Sequence, residues 1–145
     1  MQLAILAGMA LAAAGSPVVT PLHQTTVPHI AAPVTAAYHA ATTIELREIN
    51  TTPATRPGVG SCRWTASVQV QREVAGVSAL AKPVGAPTRI HGVTVGLCAG
   101  AQDNIDAQIA ARIGKIQADL VATAQADRGA LVAELDGLAR LASAG

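Results

Sequence analysis

The chain has 145 residues, half of them apolar, with one Trp, one Tyr and no Phe. Charged residues make up 13% and the formal net charge is +1. With no Lys/Arg cluster and almost no base-stacking aromatics, the forces that drive nucleic-acid binding are missing, and no nucleic-acid partner is expected. The length fits one domain. The apolar residues are mostly Ala and Val, so any core is built from small pieces and buries little area per residue.

The chain begins MQLAILAGMALAAA. Residues 3–14 are a continuous apolar run, too short to cross a hydrocarbon core of about 30 Å as a helix. The run fits the apolar region of a signal peptide spanning 1–14, with cleavage after Ala14 in a small-residue context. No Lys or Arg follows Met1, which departs from the usual basic start. No cysteine precedes Cys62, so no lipid-bearing cysteine stands at the cut. With no second apolar run of spanning length, no stable membrane insertion is expected after cleavage. The localisation is periplasmic or secreted, and the Ala-rich composition points to a bacterial source.

Residues 15–41 carry Pro17, Pro21, Pro28 and Pro33 among Thr, Ala and histidines. Each proline removes a backbone donor and biases its predecessor to extended geometry. The segment reads as a linker, extended or disordered. Its histidines His23, His29 and His39 raise the possibility of a metal site. Their spacings of six and ten, with no Cys, Asp or Glu between, favour solvated side chains. No metal or other cofactor is expected.

The ordered domain is expected over 42–145. Residues 42–50 alternate Ile44 and Leu46 against Glu45 and Arg47, a half-buried strand with a bulge or strand end near Glu48. A Pro/Gly loop follows, with Asn50-Thr51-Thr52 in the form of a glycosylation sequon, an accidental match in a bacterial protein. Residues 63–74 are the clearest strand. Trp64, Ala66, Val68 and Val70 share a core face, and Thr65, Ser67, Gln69 and Gln71 face water. In a third strand near 89–98, Val93, Val95 and Leu97 share one face, read as the core side. Cys98 falls on the other.

Cys62 and Cys98 are the two cysteines. Neither has a close histidine to act as base, and two cysteines alone make an incomplete zinc site. Cys62 begins one strand and Cys98 ends the next, and in an antiparallel hairpin those ends are neighbours. An exported chain with an even cysteine count oxidises them, so a Cys62–Cys98 disulfide is expected, against the strict parity of the strands.

From 103 to 143 the period changes. Ile105, Ile109, Ile113, Ile116 and Leu120 step by three and four, and Leu131, Leu135 and Leu138 continue the phase. Asp103 is the candidate N-cap. A continuous helix would run about 60 Å, while strands of ten residues reach about 33 Å. On that comparison the Leu131, Leu135, Leu138 stripe is left uncovered, as a contact for a second chain or another protein. A helical hairpin folded near 125–130 is the alternative, although the phase is continuous and no proline enforces a turn.

The expected architecture is α+β: a three-stranded antiparallel meander with a long amphipathic helix packed on one face. No catalytic constellation is found and no enzyme activity is expected. The paired acids Asp103/Asp106 and Glu134/Asp136 fit a helix start and an exposed helix face. The function expected is an exported interaction or structural module working through its C-terminal helix. The alternative is an exported small-ligand or metal-binding protein using the histidine-bearing segment.

Overall fold

The computed structural model describes residues 22–30, 32–49 and 60–144. The expected signal peptide, residues 15–21 and the Asn50 sequon lie outside them. In chain order the elements are β1 (Leu22–Val27), β2 (Val34–Ile49), β3 (Ser61–Val74), β4 (Lys82–Val95), α1 (Gln102–Ala110) and α2 (Ile113–Ser143). The strands form one antiparallel sheet in the order β1-β2-β3-β4. The fold is α+β, with four strands in place of the expected three.

The extra strand comes from the segment read as a linker. Leu22 pairs with His39 and Val27 with Val34, so β1 and the first part of β2 form a hairpin. Pro28 and Pro33 stand just outside the paired residues, at the turn, where a missing backbone donor costs no ladder bond. On either side of the turn, Val27, Ala36, Tyr38 and Ala40 alternate inward and are buried.

β3 behaves as its alternation requires. Cys62, Trp64, Ala66, Val68, Val70 and Val74 are all buried on one face. The ladder between β2 and β3 runs without a slip to Ile49 opposite Ser61, so of the bulge or strand end expected near Glu48 the bulge is absent and β2 ends at Ile49. The slip falls instead between Val68 and Val70, which pair with Thr88 and Val84. Gly85 (φ +71°) and Pro87 occupy this bulge. Gln69 Nε2 donates to the carbonyls of Val84 and Gly85 at 3.0 and 3.1 Å, taking up acceptors the bulge frees.

The facing of β4 is the reverse of the expected one. Ile90 and Thr94 are buried, whereas Val93, Val95 and Leu97 are exposed. The cause is Trp64, which is paired with Gly92. A Cβ at Gly92 would lie 2.6 Å from the indole Cζ2. The indole fills the space that a β4 side chain would otherwise take.

The helical segment covers the inner face. Of the continuous or gently kinked helix expected over 103–143, α2 passes uninterrupted through 125–130, where the alternative hairpin would turn, and a break at Ala111–Arg112 sets off the short α1. Arg112 accounts for the break. Its backbone N–H bonds to the Ile109 carbonyl, its guanidinium donates to the His91 carbonyl at 3.0 Å, and it stacks 5.6 Å from the Trp64 ring centre. The bend sets α1 against β4 and directs α2 over β1 and β2. The first turn of α1 begins at Gln102 after Ala101 with no side-chain cap, and Asp103 lies inside it.

Two apolar clusters result. Trp64, Ile90, Ile105 and Ile116 fill the first, beneath α1 and the start of α2. Val27, Tyr38, Val70, Leu120, Leu131 and Leu135 are in the second. Leu131 is 0% and Leu135 5% exposed, which corrects the expectation of an uncovered leucine stripe. β2 has 16 residues rather than ten and spans about 53 Å. α2 has 31 residues and spans about 46 Å. The sheet is long enough to cover it. Of the stripe only Leu138 stays partly open, beside the exposed Leu141.

Candidate functional site

Cys62 and Cys98 are joined, with Cα atoms 4.9 Å apart. Once β4 is faced correctly the parity conflict disappears. Thr94 is the inward residue opposite Cys62. Gly96 (φ +101°) then turns the chain, and Cys98 opens the 3₁₀ turn Cys98–Gly100 on the same side. Both sulfurs are spent in the bond, and the bond ties β3 to the entrance of α1.

The ionisable groups of the interior are also spent on one another. Arg72 continues the inward parity of β3 and is fully buried. Its Nη1 donates to Asp127 Oδ2 at 2.8 Å, its Nε to the Leu80 carbonyl at 3.1 Å, and its Nη2 to Glu134 Oε2. Tyr38 donates its hydroxyl to the same Asp127 oxygen at 2.8 Å, and Lys82 bonds Glu134 Oε1. Burial alone would push the Arg72 guanidinium down, but Asp127 and Glu134 outweigh it and hold the group above its ordinary value. Burial, then the bond to Asp127, pushes the Tyr38 phenol well up. Lys82 holds the Glu134 carboxyl down against its partial burial, with help from Arg72. The set balances two cations with two anions. It clamps β2, β3 and β4 to α2.

Sequence reasoning did not anticipate this cluster, although a signal was there. Arg72 sits on the apolar parity of β3 between Val70 and Val74. Asp127 sits on the apolar stripe of α2 between Ala124 and Leu131. A charge on each of two buried faces is the pattern of an internal ion pair.

The three histidines of the N-terminal hairpin do not converge. His23 is opposite Tyr38 and so faces inward, whereas His39 follows the outward parity of β2. His29, in the turn, meets Asp136 of α2 at 3.2 Å. Among the described residues no group of three His, Cys, Asp or Glu could hold a metal ion. Among the same residues no helix is long and apolar enough to cross a membrane, which leaves membrane-spanning strands unaddressed.

Comparison with protein-family models, with curated proteins and with solved structures returns no match for this chain. The surface itself therefore supplies the argument. Its most distinctive feature is an edge. Among the described residues β1 pairs with β2 from Val34 to His39. Residues 40–49 are bonded to β3 on one side, and among the described residues no strand lies on the other. Free backbone N–H and C=O groups on a sheet edge are a template for another strand.

The edges differ in how they are protected. β4 carries Pro83, Gly85 and Pro87, which interrupt its outer edge. β1 is 6 residues long and is followed by Pro28. The free part of β2 reads AATTIELREI, with neither Pro nor Gly and with strong strand formers. Leu46 stands there 47% exposed, although its β3 neighbour Trp64 is fully buried. The helical layer stops short of this edge.

Proposed function

We propose that the protein is an exported, non-enzymatic interaction module that takes a partner strand along the free edge of β2. The observation that carries this reading is that, among the described residues, only β3 pairs with residues 40–49. β-Strand addition uses main-chain bonds for affinity and alternate side chains for specificity, and this edge offers both. Export is supported by the signal-like run at 1–14 together with the disulfide, which persists in oxidising compartments. The non-enzymatic reading is supported by the interior charges, which satisfy one another around Arg72.

The end of α2 is a second, smaller contact, favoured by the exposure of Leu141 next to Leu138. It is what remains of the leucine stripe once Leu131 and Leu135 are counted in the core.

The two surfaces are separated by site-specific photo-crosslinking in the exporting cell. A crosslinker at Thr43, on the β2 edge, is expected to give a discrete adduct, whereas one at Asp103 on α1 gives none. Adducts only from Leu141 would move the contact to the end of α2. No adduct from either position in the exported fraction would defeat the interaction reading.

A further inference from the structure

We infer that the strand received by the β2 edge is that of a second copy of this chain, paired antiparallel about a two-fold axis through Leu46. This rests on the reading of the β2 edge as the contact surface and names its occupant. A two-fold dimer brings the same patch of each copy together, so the patch must complement itself. Opposed residues in an antiparallel pair lie on the same face of the sheet, which confines the axis to a residue rather than a gap between two.

The charges then select the register. An axis at Glu45 sets two carboxylates face to face, and an axis at Arg47 sets two guanidiniums face to face. Like charges directly opposed are destabilising. An axis at Ile44 leaves Glu45 opposite Thr43 and Arg47 opposite Ala41, with no charge paired. An axis at Leu46 places Glu45 of each copy opposite Arg47 of the other, twice. The two exposed Leu46 side chains then meet on the axis and cover one another.

A second observation points the same way. Within one chain Arg47 is paired across the ladder with Arg63, on the outward face. Among the described residues neither arginine, nor Glu45, has an ion-pair partner. The carboxylate of Glu45 from a second copy would stand on the open side of Arg47 and offset that repulsion. The result is a sheet of eight strands running through both copies, with helices on one face. Seven residue pairs make a small interface, so the dimer is weak and reversible.

Charge reversal tests the register. The protein with its disulfide intact is expected to pass from monomer to dimer by light scattering over a tenfold range of micromolar concentration. Glu45→Arg alone creates two Arg–Arg oppositions, and Arg47→Glu alone creates two Glu–Glu oppositions. Each is expected to raise the dimer Kd by on the order of tenfold or more, with the circular dichroism and melting of the monomer unchanged. Mixing the two single variants restores both opposite-charge pairs, and a heterodimer is expected at the parent affinity. No other register predicts that rescue. A dimer indifferent to both reversals, or reversals that the mixture does not rescue, overturns the proposal. A protein that stays monomeric while a Thr43 crosslinker yields an adduct of foreign mass overturns self-pairing and leaves the interaction module standing. A monomer in which those amides of 40–49 that point away from β3 exchange as slowly as those bonded to it means the edge is covered by its own chain and overturns both.

Discussion

Arg72 of β3 and Asp127 of α2 meet at 2.8 Å with both side chains buried, and this contact fixes how the long helix lies on the sheet. Two charges taken out of water need excellent geometry to break even. Here the pair is supported by further bonds, since Arg72 also donates to the Leu80 carbonyl and to Glu134, and Asp127 also accepts from the Tyr38 hydroxyl. Removing one partner leaves the other stranded. Asp127→Ala is expected to lower unfolding stability by about 3–5 kcal/mol. The combination Arg72→Met, Asp127→Leu and Tyr38→Phe, which removes the polar cluster at its centre, should recover most of that loss. Urea unfolding of the three proteins measures both numbers. A single variant as stable as the parent would mean that the clamp contributes nothing.

Tyr38 gives an optical view of the same cluster, because the chain has one tyrosine. Burial and the hydrogen bond to Asp127 raise its pKa in the folded state. A raised folded pKa contributes stability that is present below the unfolded value, about 10 for a phenol, and is lost as pH climbs through the folded value. The phenolate absorbance is therefore expected to stay absent at and just above pH 10. It should then rise together with the loss of circular dichroism as the protein unfolds. Tyr38→Phe should flatten that alkaline loss while costing about 1 kcal/mol at neutral pH for the missing bond. A smooth titration near pH 10 in folded protein would contradict the burial of this hydroxyl.

What the sequence reveals, and where it misleads, follows from what fills the space between the layers. β3 is legible because every inward position but one is apolar and every outward one polar. The C-terminal helical segment is legible from its period, yet its break at Arg112 is not. That break depends on a guanidinium reaching Trp64 and the His91 carbonyl, which lie 48 and 21 positions earlier in the chain. β1 and the start of β2 are hidden by their prolines. Pro28 and Pro33 mark a hairpin turn, but in a sequence they look like interruptions of any strand. β4 is misfaced because its inward residues opposite Trp64 and Cys62 are Gly92 and Thr94, while Val93 and Val95 point to solvent. That choice makes sense only once the indole is in place. The leucine stripe looks uncovered against a ten-residue strand, and the added length of β2 covers Leu131 and Leu135.

The disulfide closes a loop of 36 residues between β3 and the start of the helices. In the chain-entropy account, such a loop restricts the unfolded state by about 4 kcal/mol. A small aliphatic core has little to spare. Replacing both cysteines, Cys62→Ser with Cys98→Ser, is expected to lower stability by about 3–4 kcal/mol. Cys62 is the more buried of the two, so a serine hydroxyl there adds a desolvation cost and the alanine pair should be milder. Non-reducing digestion should yield one linked peptide pair, and two freely alkylated thiols in native protein would refute the bond.

Gly92 carries the last expectation. It is opposite Trp64 in the ladder, and the indole occupies the space that a side chain there would need. A Cβ at this position would stand 2.6 Å from both the Trp64 ring and Gln108 Oε1, closer than any relaxed contact allows. The ring cannot retreat, since it is fully buried, with Ile105 and Ile116 in the same cluster. Nor can Gln108 turn away freely, because its Oε1 accepts the indole N–H at 3.2 Å. Gly92→Ala must therefore push α1 off β4 or open the pairing of β3 with β4. The cost of such overpacking is about 1–3 kcal/mol. The single tryptophan makes the movement visible, since displacement into water should shift its fluorescence to the red. Gly114, with no heavy atom within 4 Å of an added Cβ, is the control. Gly114→Ala lies in the first turns of α2 and should be neutral or stabilise by up to about 1 kcal/mol, because alanine is the better helix former. If Gly92→Ala melted with the parent and left the tryptophan emission in place, the indole would not be resting on that glycine.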